Sequence, residues 1–119
     1  MAYVDGYVIP IPKKNIAAYQ RMARKCSVVF KDHGALEFRE CVGEDLRTKC
    51  GVPFTKLAKL KRGETVLFSW VIYKSRVHRD RAMKATMKDP RLAKMMDMSK
   101  MPFDIKRFSY AGFRVIVDA

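Results

Sequence analysis

The sequence predicts an α+β fold of order βαββαβ, with a four-stranded, mostly antiparallel sheet and two main helices on one face. Three observations predict it. Segments of period two alternate with segments of period three to four. Proline, glycine and Asp-Pro signals fall where the period changes. A length of 119 residues gives room for one domain, 1–119, and one core.

Tyr3 to Ile11 is rich in β-branched and aromatic residues and ends at Pro10 and Pro12, so it reads as a strand followed by a turn. Gly6 within it marks a bulge or a close backbone approach. From Lys14 the apolar residues Ile16, Tyr19, Ala23, Cys26 and Phe30 recur at helical spacing, and Gly34 stands where a helix would be closed. Ala35 to Gly43 is a second strand, with Leu36, Phe38, Glu40 and Val42 on one face and Glu37, Arg39 and Cys41 on the other. Glu44 to Gly63 has no sustained period and reads as a long loop with a short irregular strand near Phe54 to Leu57.

Glu64 to Tyr73 is the clearest strand and is apolar on both faces, so both should be covered. A second helix runs from Ser75, a natural N-cap, to Lys88. Asp89-Pro90 breaks it and begins a short helix to Met96. Lys106 to Val117 is the last strand. One helix between each pair of strands is the ferredoxin-like split βαβ arrangement. Right-handed crossovers put the first and third strands at its centre. Helices can cover only one face of such a sheet. The other, with Trp70 or its alternates, calls for a partner, and a second copy is the simplest one. The expectation is a homodimer with sheets packed face to face.

The composition excludes several classes. The longest apolar run, Val66 to Tyr73, is eight residues and contains Ser69, far short of the roughly 18 that a spanning helix needs. No membrane partner is therefore expected. Met1 to Pro10, with Asp5 inside it, reads as a strand and not as a signal peptide. Three cysteines, Cys26, Cys41 and Cys50, form no CxxC pair, which fits a reducing, cytoplasmic setting and argues against a disulfide framework or zinc site. His33 and His78 are far apart, so no metal is expected. No phosphate-binding glycine loop or Ser/His/Asp order stands out, no cofactor is expected, and no catalytic residue or reaction is legible.

The segments YVDGYV (Tyr3 to Val8), FSW (Phe68 to Trp70), DPR (Asp89 to Arg91), MPFD (Met101 to Asp104) and KRF-YAGF (Lys106 to Phe113) resemble the bacterial YbaA-like family. The resemblance spans nearly the whole chain and is weakest between Asp45 and Arg62. It implies a dimeric α/β barrel built from ferredoxin-like subunits. The family is of unknown function. Relatives by fold include small monooxygenases, haem-degrading enzymes and ligand-sensing domains, and kinship of fold transfers no reaction.

A pocket between sheet and helices is the default ligand site of such a fold, so a small molecule is the first expected partner. Its candidate residues are Asp5, Glu40, Trp70, His78, Arg79 and Tyr110. Arg79 edges an apolar helix stripe, and either clamps an anion with its guanidinium fork or pairs with Asp5 or Glu40. Asp5, inside an apolar strand, is a base, a ligand acceptor or a hydrogen-bonded structural carboxylate. His78 is a proton shuttle or a solvent-edge histidine. Trp70 and Tyr110 stack on a planar ligand or pack in the core and dimer. Five of the eight methionines lie between Met87 and Met101, and line an adaptable pocket or fill a core.

Lys plus Arg total 25 against 12 acids, a formal net charge of +13. Residues 46–63 carry Arg47, Lys49, Lys56, Lys59, Lys61 and Arg62 with no acid, and 74–88 carry six cations against Asp80. This basic surface supports an alternative function, binding of RNA or DNA or of an acidic partner. Aromatic residues for base stacking are scarce there, with Phe54 alone in the loop, and no RNP, KH or helix-turn-helix pattern occurs.

Overall fold

A computed structural model describes residues 1–97 and 100–119. Met98, one of the five clustered methionines, lies outside the described residues. The strands are β1 (Tyr3–Pro12), β2 (Glu37–Val42), β3 (Glu64–Tyr73) and β4 (Ser109–Arg114). The helices are α1 (Ile16–Asp32), α2 (Phe54–Leu57), α3 (Arg76–Met87) and α4 (Pro90–Met95). The sheet order is β2-β3-β1-β4, every neighbouring pair is antiparallel, and β1 and β3 occupy the centre. This is the ferredoxin-like arrangement.

The punctuation residues act as their chemistry dictates. Ser75 caps α3 by accepting from the His78 backbone N–H at 3.1 Å. Asp89 caps α4 by accepting from the Arg91 N–H at 2.8 Å, with Pro90 at the first helical position. The Asp89 carboxylate also takes His33 Nε2 at 2.8 Å, and Arg91 reaches Asp32 at 2.8 Å, so the start of α4 is pinned to the end of α1. Gly34, just past α1, has φ of +115°, a conformation open to glycine at little cost.

Two expectations are corrected, and a third is decided between its two alternatives. Phe54 to Leu57 is one helical turn and not a strand, entered through the extended backbone of Pro53. Phe54 leans its ring on Phe68 of β3 at 6.1 Å. The last strand is shorter than Lys106 to Val117. Residues Ile105–Arg107 form a 3-10 turn capped by Asp104, and β1 offers no paired residue beyond Tyr3, which faces Arg114. At Gly6 the register with β3 is unbroken, so there is no bulge. There is a close approach instead, since a methyl group at Gly6 would stand 3.3 Å from the Phe113 ring.

Pleating divides the sheet into two unlike faces. Asp5, Tyr7, Ile9 and Ile11 of β1 share a face with Leu67, Ser69, Val71 and Tyr73 of β3. The helices cover this face. Val29, Phe30, Ala82 and Leu92 pack on Val71 and Tyr73 at one end, while Tyr19 and Ala23 pack on Ile9, Ile11 and Leu67 at the other. On the opposite face Val4, Val8, Trp70, Ile72 and Phe113 point away from α1, α3 and α4, and Phe68 meets Phe54 of the one-turn α2. Phe68 is 45% and Phe113 58% exposed there.

Candidate functional site

The strand register creates a polar row on the helix-covered face. Glu40 of β2 lies opposite Ser69 of β3, Ser69 opposite Tyr7 of β1, and Tyr7 opposite Tyr110 of β4. One carboxyl and three hydroxyls therefore cross all four strands in a single line. Above this row, beneath α1, α3 and α4, is a cavity of about 350 Å³. Its roof is apolar: Met22 and Phe30 of α1, Met83 and Met87 of α3, and Leu92 of α4. Met101, Phe103 and Phe108, from the segment before β4, close one side. The wall is aromatic, with Tyr7 stacked on Tyr110 at 5.2 Å and 13° and Tyr110 stacked on Phe108 at 6.2 Å and 5°.

Glu40 is the one acid in this lining. Tyr19 of α1 donates its phenol to Glu40 Oε1 at 2.8 Å, and the Ser69 hydroxyl donates to the same oxygen. Desolvation between α1 and the sheet pushes the Glu40 carboxyl up, while these two donors pull it back. Burial raises the Tyr7 and Tyr19 phenols far above their usual range, so both stay neutral. Burial, and then the Glu40 charge, also raise the Cys26 thiol beside them. A protonated thiol is a poor nucleophile. The arrangement can thus anchor the polar end of an apolar molecule, or exchange a proton with it, at Glu40.

The cavity has an outer neighbour. Tyr19, Ala23, Phe38 and Glu40 also line a cleft of about 380 Å³ between α1 and the edge strand β2. Glu40 therefore stands where the inner cavity meets the sheet edge. Among the described residues, no group of three or more His, Cys, Asp or Glu side chains could hold a metal ion.

Of the sequence candidates, Glu40 and Tyr110 line the cavity together. Asp5 lies one row further along the same face, opposite Gly112 and Val71. It is fully buried, with Arg79 Nε at 3.4 Å from Oδ1. Neither Asp5 oxygen accepts a hydrogen bond, and the nearby Tyr73 hydroxyl is also unpartnered. Arg79 sits over the Tyr3 ring at 4.9 Å and donates to the Tyr3 hydroxyl at 3.2 Å. Burial pushes the Asp5 carboxyl up, against the pull of Arg79. The pair is an internal ion pair, and neither residue lines the cavity. His78 packs on Tyr73 at 5.8 Å, and its Nδ1 accepts from the Lys74 N–H at 2.9 Å. Trp70 is on the open face, where its indole donates to Glu37 at 3.2 Å.

Arg47, Lys49, Lys56, Lys59, Lys61 and Arg62 are all exposed in the segment between β2 and β3. Sequence reasoning missed Tyr7, Tyr19, Cys26 and Ser69 as site residues. Tyr19 and Cys26 lie seven apart on the buried helix stripe, and Ser69 is the one serine or threonine in the apolar run Val66 to Tyr73.

Comparison with known proteins places this geometry. Residues 2–105 match the family model described as "Protein of unknown function (DUF1428)". The uncharacterized protein YbaA of Escherichia coli strain K12 is 40% identical over 118 residues, covering 99% of each chain. Among solved structures, Rv0793 from Mycobacterium tuberculosis superposes with a TM-score of 0.60 at 12% identity, over 100% of this chain and 99% of that one. A dimeric ferredoxin-like protein from an uncultured marine organism gives 0.57 at 11% identity, over all of both chains. At such identities the structures speak for the fold alone. The sequence matches speak for kinship, and the chain belongs to the DUF1428 family of proteins of unknown function.

Proposed function

We propose that the protein is a homodimer that holds an apolar, ring-bearing small molecule between its sheet and helices, with the molecule's polar end at Glu40. The observation that carries this reading is the cavity of about 350 Å³, walled by stacked aromatic rings and methionines, with Glu40 its single carboxyl and Arg39 beside it at the rim. Such a combination of apolar lining and a few convergent polar groups is the usual character of a ligand site. Methionine adapts to irregular guests, and stacked rings favour a planar one.

A second copy accounts for the open face. Phe68 and Phe113 present large rings to solvent beside the half-buried Trp70, and an exposed apolar patch of this kind commonly marks an interface. The dimeric neighbour of the same fold supports a dimer. The three free cysteines support residence in a reducing, cytoplasmic compartment.

The test is a thermal-shift panel of planar apolar compounds against wild type and Ala23→Trp. Ala23 lines the cavity from α1, so an indole there occupies the ligand's space. We expect hits on wild type that vanish in a folded Ala23→Trp protein. Absence of hits on wild type, or hits that survive the substitution, would end the reading. Light scattering at micromolar concentration tests the dimer, and a monomer mass removes it. RNA retained at physiological salt through the 46–63 loop would favour the nucleic-acid alternative instead.

A further inference from the structure

We infer that the ligand is an amine: an apolar ring system carrying a protonated nitrogen, which pairs with Glu40 at the mouth of the cavity. This rests on the cavity reading above and names the class of molecule that the site selects.

The inference begins with the two oxygens of Glu40. Both protein donors, Tyr19 and Ser69, bond Oε1, and no hydrogen bond from a described residue reaches Oε2. A carboxylate held at one oxygen and open at the other is oriented, with its second acceptor still to be used. Charge gives the next step. Asp5, on the same face, has Arg79 beside it, whereas Glu40 has no cation within ion-pair distance among the described residues. Its two partners are neutral hydroxyls. Glu40 is exposed and open to solvent at the sheet edge, and a cationic ligand that covers it supplies the counter-charge the protein omits.

The walls agree with this. Tyr7, Tyr110 and Phe108 stack along one side, and the faces of such rings attract cations. The position of Glu40 also suits a charged group. It lies at the meeting of the inner cavity and the outer cleft, so a ring system can lie inside while the ammonium remains near water. Arg24 lines the outer cleft and not the inner cavity, and Arg39, the one cation of the inner lining, is exposed, shares the Trp70 row of the sheet and lies 3.8 Å from Glu37. A carboxylate ligand that used Arg24 would leave its polar end outside and face Glu40 with like charge. The anionic alternative is thus disfavoured, although the net charge of the chain is positive.

Three probes of one shape decide it: naphthylmethylamine, naphthylmethanol and naphthoate, titrated by calorimetry at neutral pH into the intact protein. The amine should bind about tenfold more tightly than the alcohol, the gain of one charge-assisted hydrogen bond over a neutral one. The Glu40→Gln variant should lose that preference while keeping its alcohol affinity, which also reports that it is folded. Glu40→Asp, which keeps the charge, should retain the preference. Amine and alcohol bound alike by wild type, naphthoate bound most tightly, or a preference that survives Glu40→Gln would each overturn the amine assignment and leave the cavity reading standing. Failure of all three probes to bind would overturn both.

Discussion

Asp5 and Glu40 project from the same face of one sheet, one row apart, and are provided for in opposite ways. Asp5 is fully buried, has a guanidinium at 3.4 Å and does not line the cavity that Glu40 faces. Glu40 is held by two neutral hydroxyls and faces a cavity of about 350 Å³. A buried charge whose counter-charge is built into the chain is a structural element. Glu40 is instead an exposed carboxylate with no built-in counter-charge beside space for a ligand, and that is the site the proposed function makes use of. The carboxyl's neighbours decide which it is, and the residue type does not.

The comparison breaks most easily at Asp5. Asp5→Ala removes the buried partner of Arg79 Nε and leaves the guanidinium with only the exposed Asp80 at 3.2 Å, and should cost about 2 kcal/mol in urea unfolding. Adding Arg79→Met should recover part of the loss, because the stranded charge goes too. A loss under about 1 kcal/mol for the single substitution would show that the pair is not the counterweight described here.

Glu40 should report through pH. Its folded carboxyl titrates above the ordinary 4.5 because of desolvation. In the window above 4.5 the folded state therefore holds more proton than the unfolded one, and stability falls as pH rises through it. Glu40→Gln removes this slope, so wild type should lose stability relative to the variant on going from acid to neutral pH. Glu64 is the opposing control. Hydrogen bonds from Arg107 lower its carboxyl to about 2, so its contribution is present above 4.5 and is lost as pH falls toward 2. A pH-independent difference between wild type and Glu40→Gln would contradict the account of Glu40.

The smallest expected effect is at Tyr73. Its hydroxyl is buried beside the ion pair with no partner. Tyr73→Phe should leave thermal stability unchanged or raise it by about 1 kcal/mol, since an unsatisfied polar group is removed. A clear loss would mean that the hydroxyl serves Asp5 or Arg79 in solution.

Much of the fold was legible because its signals are local. The switch from period two to period three to four marks β1 and α1, Ser75 and Asp89-Pro90 mark the starts of α3 and α4, and Gly34 marks the end of α1. Four residues around Phe54 were too few to distinguish a helical turn from a strand. The site was less legible, because it is written in register. Strand alternation put Glu40 on the Phe38 face, but nothing local aligns it with Ser69, Tyr7 and Tyr110 on three other strands. Nor does the helix stripe reveal that Tyr19, in a core position, aims its hydroxyl at Glu40. Trp70 and Glu40 are both plausible ligand residues in one dimension. The pleat sends them to opposite faces of the sheet.

Gly112 lies opposite Asp5 on β4, and its missing side chain is where the Arg79 guanidinium and the Tyr3 hydroxyl fit. A methyl group at this position would collide with both. Residues 79 and 112 are therefore not free to drift separately in descent. A homologue that gains a side chain at 112 must surrender the arginine or move it, and with it the neutralisation of Asp5. Across the kin of this chain, glycine at 112, arginine at 79 and aspartate at 5 should be inherited as one unit.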